Sequence, residues 1–340
     1  MGSKITDLLE GKEIKVESLA GKVLAVDAFN TLYMFLTTIR GPDGSPLMTR
    51  EGKITSHIQG LISRFTNYSE KGLKFVFVFD GTPPKLKSEE SKRRKSLKEE
   101  AKKLYKEAKD KDDVENMKKY AARSVFLTDE MIEETKELLK IMGIPVVQAP
   151  SEGEAQAAHL VKKGDAYAVV SQDADSLLNG ALRVIKNMSI TGRRKLPGNL
   201  GYKTLEPELI ELKPNLEKLA LTQDELIMLA ILIGTDYNYG GVKGIGPKKG
   251  IKLVKKEKEK SFETINWEEH FDIEWKDIFD TIKDMPITDD YELRWQNPDY
   301  DKLREFLEKR DFSENRIDST LRKIKYAEDK NKQKGLSEFF

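Results

Sequence analysis

Seven acids stand at the ends of apolar runs, and their types and spacing are the first chemistry this sequence offers. The run KVLAV ends at Asp27, FVFVF at Asp80, and VVQAPS at Glu152 and Glu154. AYAVVSQ ends at Asp173 and Asp175, and LIMLAILI leads through Gly234 and Thr235 to Asp236. In a parallel α/β sheet the carboxyl ends of the strands share one edge, and ligands bind in the crevice there. Acids distant in sequence then converge in one cleft. Like charges at short range raise each other's pKa, so the cluster stays ionised only in the company of cations. Ligation by carboxylate oxygens suits Mg²⁺ or Mn²⁺ rather than zinc. Two such ions serve phosphodiester hydrolysis.

Taken singly, each acid has a simpler reading. Ser151 and Glu154 fit a capping box, and an Asp at a strand end is often a turn residue. Turns do not require seven acids at five element ends, so the joint pattern carries the metal reading. Asp173 and Asp175, at i and i+2, face the same side while the strand stays extended. Gly153 lets the backbone between Glu152 and Glu154 approach closely.

The elements that must position these acids follow from periodicity. Strand candidates at about 22–27, 74–80, 145–149, 166–172 and 182–187 alternate with helical patterns, which predicts βαβ units and a mainly parallel central sheet flanked by helices. Ile54, Ile58, Leu61, Ile62 and Phe65 share one helical face. A further helix is expected from Asp129 to Met142, with Thr128 as N-cap and Gly143 past its end. Thr222 and Glu225 form a capping box before the apolar helix that leads to Gly234.

The chain of 340 residues is long enough for a full core, and 34% charged residues describe a soluble globular protein. Zero cysteines exclude disulfides and thiolate zinc sites, and the expected setting is cytoplasmic. High Lys and Glu fit a thermophile as well. Basic and acidic residues balance at 59 against 58, so an acid-rich cleft leaves basic charge elsewhere for a polyanion. The longest apolar run, Leu226 to Ile233, is too short to span a bilayer, and no membrane partner is expected. The opening Met1 to Thr6 matches a loose myristoylation pattern that no other membrane signal supports.

Three stretches remain. Lys85 to Tyr120 is crowded with Lys, Arg and Glu; it reads either as a solvated helical hairpin or as a mobile basic arch over the cleft. Gly240-Gly241-Val242-Lys243-Gly244-Ile245-Gly246-Pro247-Lys248-Lys249 is either a plain glycine-rich loop or a seat for a DNA phosphate, with Pro247 suited to open the next helix. The polar tail from about Ala327 ends on Phe339 and Phe340, which either pack on the chain's own core or serve a partner.

These motifs together resemble those of archaeal flap endonucleases, in the family that also holds the xeroderma-group-G and exonuclease-type nucleases. The carrying residues are Val26-Asp27-Ala28, Val78-Phe79-Asp80-Gly81-Thr82-Pro83-Pro84, Ala149-Pro150-Ser151-Glu152-Gly153-Glu154-Ala155, Ser171-Gln172-Asp173-Ala174-Asp175, Gly234-Thr235-Asp236-Tyr237 and Gly244-Ile245-Gly246-Pro247-Lys248. The resemblance runs essentially end to end. It implies a PIN-like nuclease core over 1–325, whose N-terminal part is 1–98. A helical arch covers about 85–125. The internal part, about 126–258, includes a helix–two-turn–helix element at about 223–258. A flexible tail covers 326–340.

By the same resemblance, Asp27, Asp80, Glu152 and Glu154 are the expected ligands of a first Mg²⁺, and Asp173, Asp175 and Asp236 those of a second; Mn²⁺ would substitute. Lys87 and Arg94 match the basic pair that contacts the scissile phosphate, and Tyr33 the aromatic on which the nucleotide beside the cut stacks. Arg40, Arg64, Glu152, Gly234 and Asp236 fall at DNA-contact positions. So do Gly244, Gly246 and Lys248, in the loop expected to hold K⁺ against the DNA backbone. Gln333, Leu336, Phe339 and Phe340 resemble the peptide that docks on a sliding clamp of the proliferating-cell-nuclear-antigen type.

The implied activity is cleavage of 5′ flaps from branched DNA, with 5′–3′ exonuclease activity, in replication and repair. A monomer in a prokaryotic, nucleoid-associated setting is expected. The alternatives are a gap or four-way-junction nuclease, and an inactive DNA- and clamp-binding scaffold. Three departures from the family pattern stand out: Ala174 for a larger residue, Thr82 for a common Lys, and Gly250 for a helix former at a cost of about 1 kcal/mol.

Overall fold

The run FVFVF shows why this chain builds a sheet with two different faces. On the strand Lys74–Phe79, Phe75, Phe77 and Phe79 point to one side and Val76 and Val78 to the other. The phenylalanines pack in a T-shaped cluster, with Phe65 at 4.7 Å from both Phe75 and Phe77. The valines face a helix rich in alanine, whose Ala155, Ala157 and Ala158 allow close approach.

The structure is a computed structural model that describes residues 4–41, 44–111, 113–188, 194–195, 202–203 and 205–337. Strands are β1 Gly11–Glu13, β2 Val23–Asp27, β3 Lys74–Phe79, β4 Val146–Gln148, β5 Ala168–Val170, β6 Arg183–Lys186, β7 Arg194–Lys195, β8 Tyr202–Lys203 and β9 Glu208–Glu211. Helices are α1 Ala28–Thr38, α2 Ser56–Glu70, α3 Ser88–Asp110, α4 Val114–Arg123, α5 Asp129–Ile141, α6 Gly153–Lys163 and α7 Asp175–Leu178. They continue with α8 Leu212–Leu219, α9 Gln223–Ile233, α10 Pro247–Glu257, α11 Lys260–Thr264, α12 Trp275–Lys283, α13 Tyr300–Glu308 and α14 Glu314–Ser337.

The seven-stranded sheet has the order β1-β9-β6-β5-β2-β3-β4. From β6 to β4 all neighbours are parallel, and β9 and β1 are added antiparallel at one edge. The chain leaves β2 for β3 and β4 on one side, then returns to β5 and β6 on the other. That reversal opens the crevice in which α/β sheets bind ligands. All five expected strands are present. The β1–β9 pair was not anticipated, because its residues, GKE and ELIE, show no run of apolar or alternating character.

One face of the sheet carries α1, α2, α5, α13 and α14 over the phenylalanine layer; the other carries α6, α7, α9 and α12. Every residue of α9 from Leu226 to Ile233 is buried, as befits a helix apolar all round. Thr128 caps α5, and Thr222 and Glu225 complete the expected capping box. The polar insertion forms the hairpin α3–α4, which among its described residues buries Glu90, Ala101, Ala108 and Ala121. No helix among the described residues is long and apolar enough to cross a membrane.

Two expectations need correction. The tail expected from 326 is helical as far as Ser337, because α14 packs on α2 and keeps Ile324 and Ala327 buried while Tyr300 Oη donates to Glu328. Gly250 is more than a weak helix former. A Cβ there would lie 2.8 Å from Leu229 Cδ1, so the glycine lets α10 close on α9.

Candidate active site

Parallel strands β5, β2, β3 and β4 deliver six of the seven acids to one edge. Asp27 is the last residue of β2, and Asp80 follows β3. Glu152 and Glu154 open α6 after β4, and Asp173 and Asp175 follow β5. Asp236 arrives from beyond α9. All seven line a single cleft of about 190 Å³, together with Asn30, Tyr33, Lys87 and Arg94.

Local bonds hold the acids apart from one another. Asp27 Oδ1 accepts from Asn30 N at 3.0 Å, so this acid also caps α1. Asp80 Oδ1 accepts from Gly153 N at 2.7 Å, and a Cβ on Gly153 would lie 2.6 Å from that same oxygen. Only glycine allows this approach. Asn30 donates to Asp173 Oδ2 at 3.1 Å and accepts from Gln172 N at 3.0 Å. Ser171 Oγ lies between Asp27 and Asp173, at 3.4 and 3.3 Å. The alternative Ser151–Glu154 capping box does not form: Ser151 Oγ donates to Thr82 O at 3.0 Å, which leaves Glu154 to the cleft.

The electrostatics are those of a cation site. Burial, then Asp80 and Asp173, raises Asp27 well above the usual carboxylate range. Burial and Glu152 raise Asp80 to about 6. Burial, with Asp173, Asp175 and Asp27, raises Glu154 well above its ordinary value, and burial raises Asp173. Such groups hold protons unless a cation replaces them. Glu154, Asp173 and Asp175 each bring an oxygen within 4.8 Å of the others, a donor set of carboxylate oxygens that fits a hard divalent ion. The expected division placed Glu154 with Asp27, Asp80 and Glu152; in the structure one of its oxygens lies within 4.8 Å of oxygens of Asp173 and Asp175.

Two cations of the chain reach the acids from the base of the insertion. Lys87 pairs with Glu152 and lies 3.5 Å from Asp236 Oδ2. Burial alone would lower its ammonium, but Glu152, Glu154 and Asp236 outweigh that and raise it. Arg94 pairs with Asp236. Tyr33 lines the same cleft; Lys98 donates to its hydroxyl at 2.9 Å and lies 4.3 Å from its ring centroid.

The remaining expected contacts lie elsewhere. Arg40 donates to four carbonyls, of Leu36, Thr37, Gly44 and Ala121, and so ties the end of α1 to α4. Arg64, half-buried on α2, does not line the cleft. Gly234 ends α9 at φ +111°, Gly244 takes φ +81°, Gly246 caps α10, and Lys248 is exposed. Gln333 and Leu336 fall on the backbone of α14 with undescribed side chains; Phe339 and Phe340 lie outside the described residues. Sequence reasoning missed Asn30 and Ser171. Asn30 has a signal, three residues past Asp27 in the first turn of a helix, whereas Ser171 has none.

The chain is similar to known proteins over its whole length. The XPG N-terminal domain family model matches residues 4–101, and the XPG I-region model matches 143–236. Flap endonuclease 1 of Pyrococcus abyssi is 47% identical over 100% of this chain and 98% of its own length. Flap endonuclease 1 of Staphylothermus marinus is 48% identical over the whole of both chains. The solved flap endonuclease-1 from Methanococcus jannaschii superposes with a TM-score of 0.77 at 41% identity, covering 97% of this chain and 100% of that one. The catalytic core of Rad2 in complex with DNA substrate gives 0.66 at 26% identity, over 92% and 96%. The chain belongs to the flap endonuclease 1 family.

Proposed function

We propose that this protein is a structure-specific nuclease that removes 5′ flaps from branched DNA, with accompanying 5′–3′ exonuclease activity, in replication and repair. The observation that carries the reading is the meeting of seven acids with Lys87 and Arg94 in one cleft below a basic helical hairpin. When bound, two divalent cations, Mg²⁺ or Mn²⁺, supply Lewis acidity toward the attacking and leaving oxygens of the phosphodiester. Asp27, Asp80, Glu152 and Glu154 would hold one and Asp173, Asp175 and Asp236 the other.

The chain's own groups do the rest. Lys87 and Arg94 donate to the non-bridging oxygens of the scissile phosphate and neutralise charge that grows there, already in place before the substrate arrives. The Tyr33 ring stacks on the nucleotide beside the cut. Gly244, Gly246 and Lys248 offer free amides and charge to the duplex backbone, the proposed seat of K⁺ as well. Contacts of these kinds read no bases, so cleavage should follow the shape of the DNA and ignore its sequence. The tail 333–340 is the proposed peptide for a sliding clamp.

A Mg²⁺-dependent assay on matched flap, gapped and four-way substrates tests the reading. Preference for the 5′ flap is expected. Preference for a gap or a four-way junction would move the protein to a specialised relative, and absence of cleavage with intact DNA binding would make it a scaffold.

A further inference from the structure

One buried carboxylate outside the acid cluster holds two arginines at once. Glu90, in the first turn of α3, is only 6% exposed although it stands in a stretch of lysines, arginines and acids. Its Oε1 accepts from Arg94 Nε at 2.7 Å and from Arg93 Nη2 at 2.8 Å, and its Oε2 accepts from Arg93 Nε at 2.7 Å. From this shared anchor the two guanidinium groups diverge. Arg94 turns its Nη2 to Asp236 in the cleft. Arg93 Cζ lies over the Tyr239 ring, 3.6 Å from its centroid, beside the glycine-rich loop.

We infer that Glu90 is a positioning residue for phosphodiester cleavage: it holds Arg94 aimed into the cleft after Asp236 has been taken up by a metal ion. The inference rests on the role proposed above for Arg94. An arginine held only by Asp236 would lose its orientation when that carboxylate turns to a cation, since a long side chain regains its rotamer freedom. The Nε bond to Glu90 fixes the plane of the fork, whose Nη2 points into the cleft. Arg93, held by the same carboxylate, reaches Tyr239 on the far side of the turn that carries Asp236.

Single-turnover cleavage and flap binding of Glu90→Ala, Glu90→Gln, Arg94→Ala and the double variant E90A/R94A test this. Removing Glu90 is expected to slow the chemical step about tenfold or more, with flap affinity and melting temperature nearly unchanged and partial recovery in Glu90→Gln. In the Arg94→Ala background the same removal should cost less than about twofold, because the two residues act as a unit. Additive losses in the double variant would overturn the inference and make Glu90 a determinant of the helix alone. So would a loss confined to affinity, or a large fall in melting temperature. If Arg94→Ala itself left the chemical step intact, the proposed role of Arg94 would fail first, a result distinct from either of these.

Discussion

Arg94 on α3 and Asp236 beyond α9 are paired across the mouth of the acid cleft. The pair joins the insertion to the catalytic edge, and it sets two proposed tasks in competition. A carboxylate that serves a metal ion must release a guanidinium that serves the phosphate. Arg94→Ala should therefore slow single-turnover cleavage about 10²-fold, the size of one lost preorganised charge. It should also tighten Mg²⁺ or Mn²⁺ binding to the DNA-free protein by about severalfold, since a competing cation is gone. Titration calorimetry reads the second effect. Weaker metal binding in the variant would mean that Arg94 supports the acids rather than competes for them.

Asp175 opens α7 beside Asp173, with a carboxylate oxygen within 4.8 Å of oxygens of Asp173 and Glu154. Asp175→Asn keeps the shape and removes the charge. Cleavage should be lost while flap affinity stays within about tenfold, or about 1.4 kcal/mol. Mg²⁺-dependent turnover near that of the unaltered protein would remove Asp175 from the ligand set.

The raised carboxylates give the metal-free protein an unusual pH dependence. Asp80 titrates near 6 in the folded chain against about 4 when unfolded, and burial raises Asp27, Glu154 and Asp173 in the same direction. Between those values the folded state binds more protons than the unfolded one, so stability falls as pH rises. Thermal melts in chelator should show a declining midpoint from about pH 4 to pH 6. Mg²⁺ should flatten the slope and release protons on binding. A midpoint that climbs through this window in chelator, and is indifferent to Mg²⁺, would contradict a cluster of mutually strained acids.

Much of this site is legible from residue order. Strands that end in acids needed only the rule that parallel strands share a carboxyl edge, and Gly153 declared its close approach through its position between two acids. The charged partners from the insertion were not legible in that way. Lys87, Arg94 and Glu90 stand in a stretch where almost every residue is charged, and charge there carries no periodicity; the first two came only through family resemblance. The edge strands β1 and β9 escaped notice because half-polar strands of three or four residues have no pattern to read. The segment between α12 and α13 has no regular structure, yet it is fixed by bonds such as Trp295 Nε1 to Phe75 O at 2.9 Å and the paired contacts of Gln156 with Thr288. Such long-range bonds leave no mark on local sequence.

Glycines of the loop after α9 should separate into structural and functional ones. Gly241 has φ +68°, and a Cβ there would lie 2.3 Å from Ile233 C. Gly241→Ala should cost about 3 kcal/mol, since backbone on both sides must move. Gly246 has φ −98° and open space around its Cα. Gly246→Ala should change stability by less than about 0.5 kcal/mol. It should nonetheless weaken duplex binding if the backbone amide there approaches a phosphate. Denaturant unfolding and duplex titration check both. Equal stability losses at the two positions would show that the loop is rebuilt as a whole.

The tail separates partner binding from chemistry. Among the residues of α14 whose burial is described, the last buried are Ile324 and Ala327, both ahead of the segment 333–340. Deleting 333–340 therefore removes no part of the described core. The melting temperature and clamp-free flap cleavage should stay nearly unchanged. Stimulation by a sliding clamp should disappear, because aromatic anchors supply most of the affinity of such a peptide. Calorimetry of the isolated tail peptide against the cognate clamp measures this directly. Absence of heat would remove the clamp from the proposal. A fall of several degrees in melting temperature on deletion would instead place Leu336, Phe339 and Phe340 against the protein's own core.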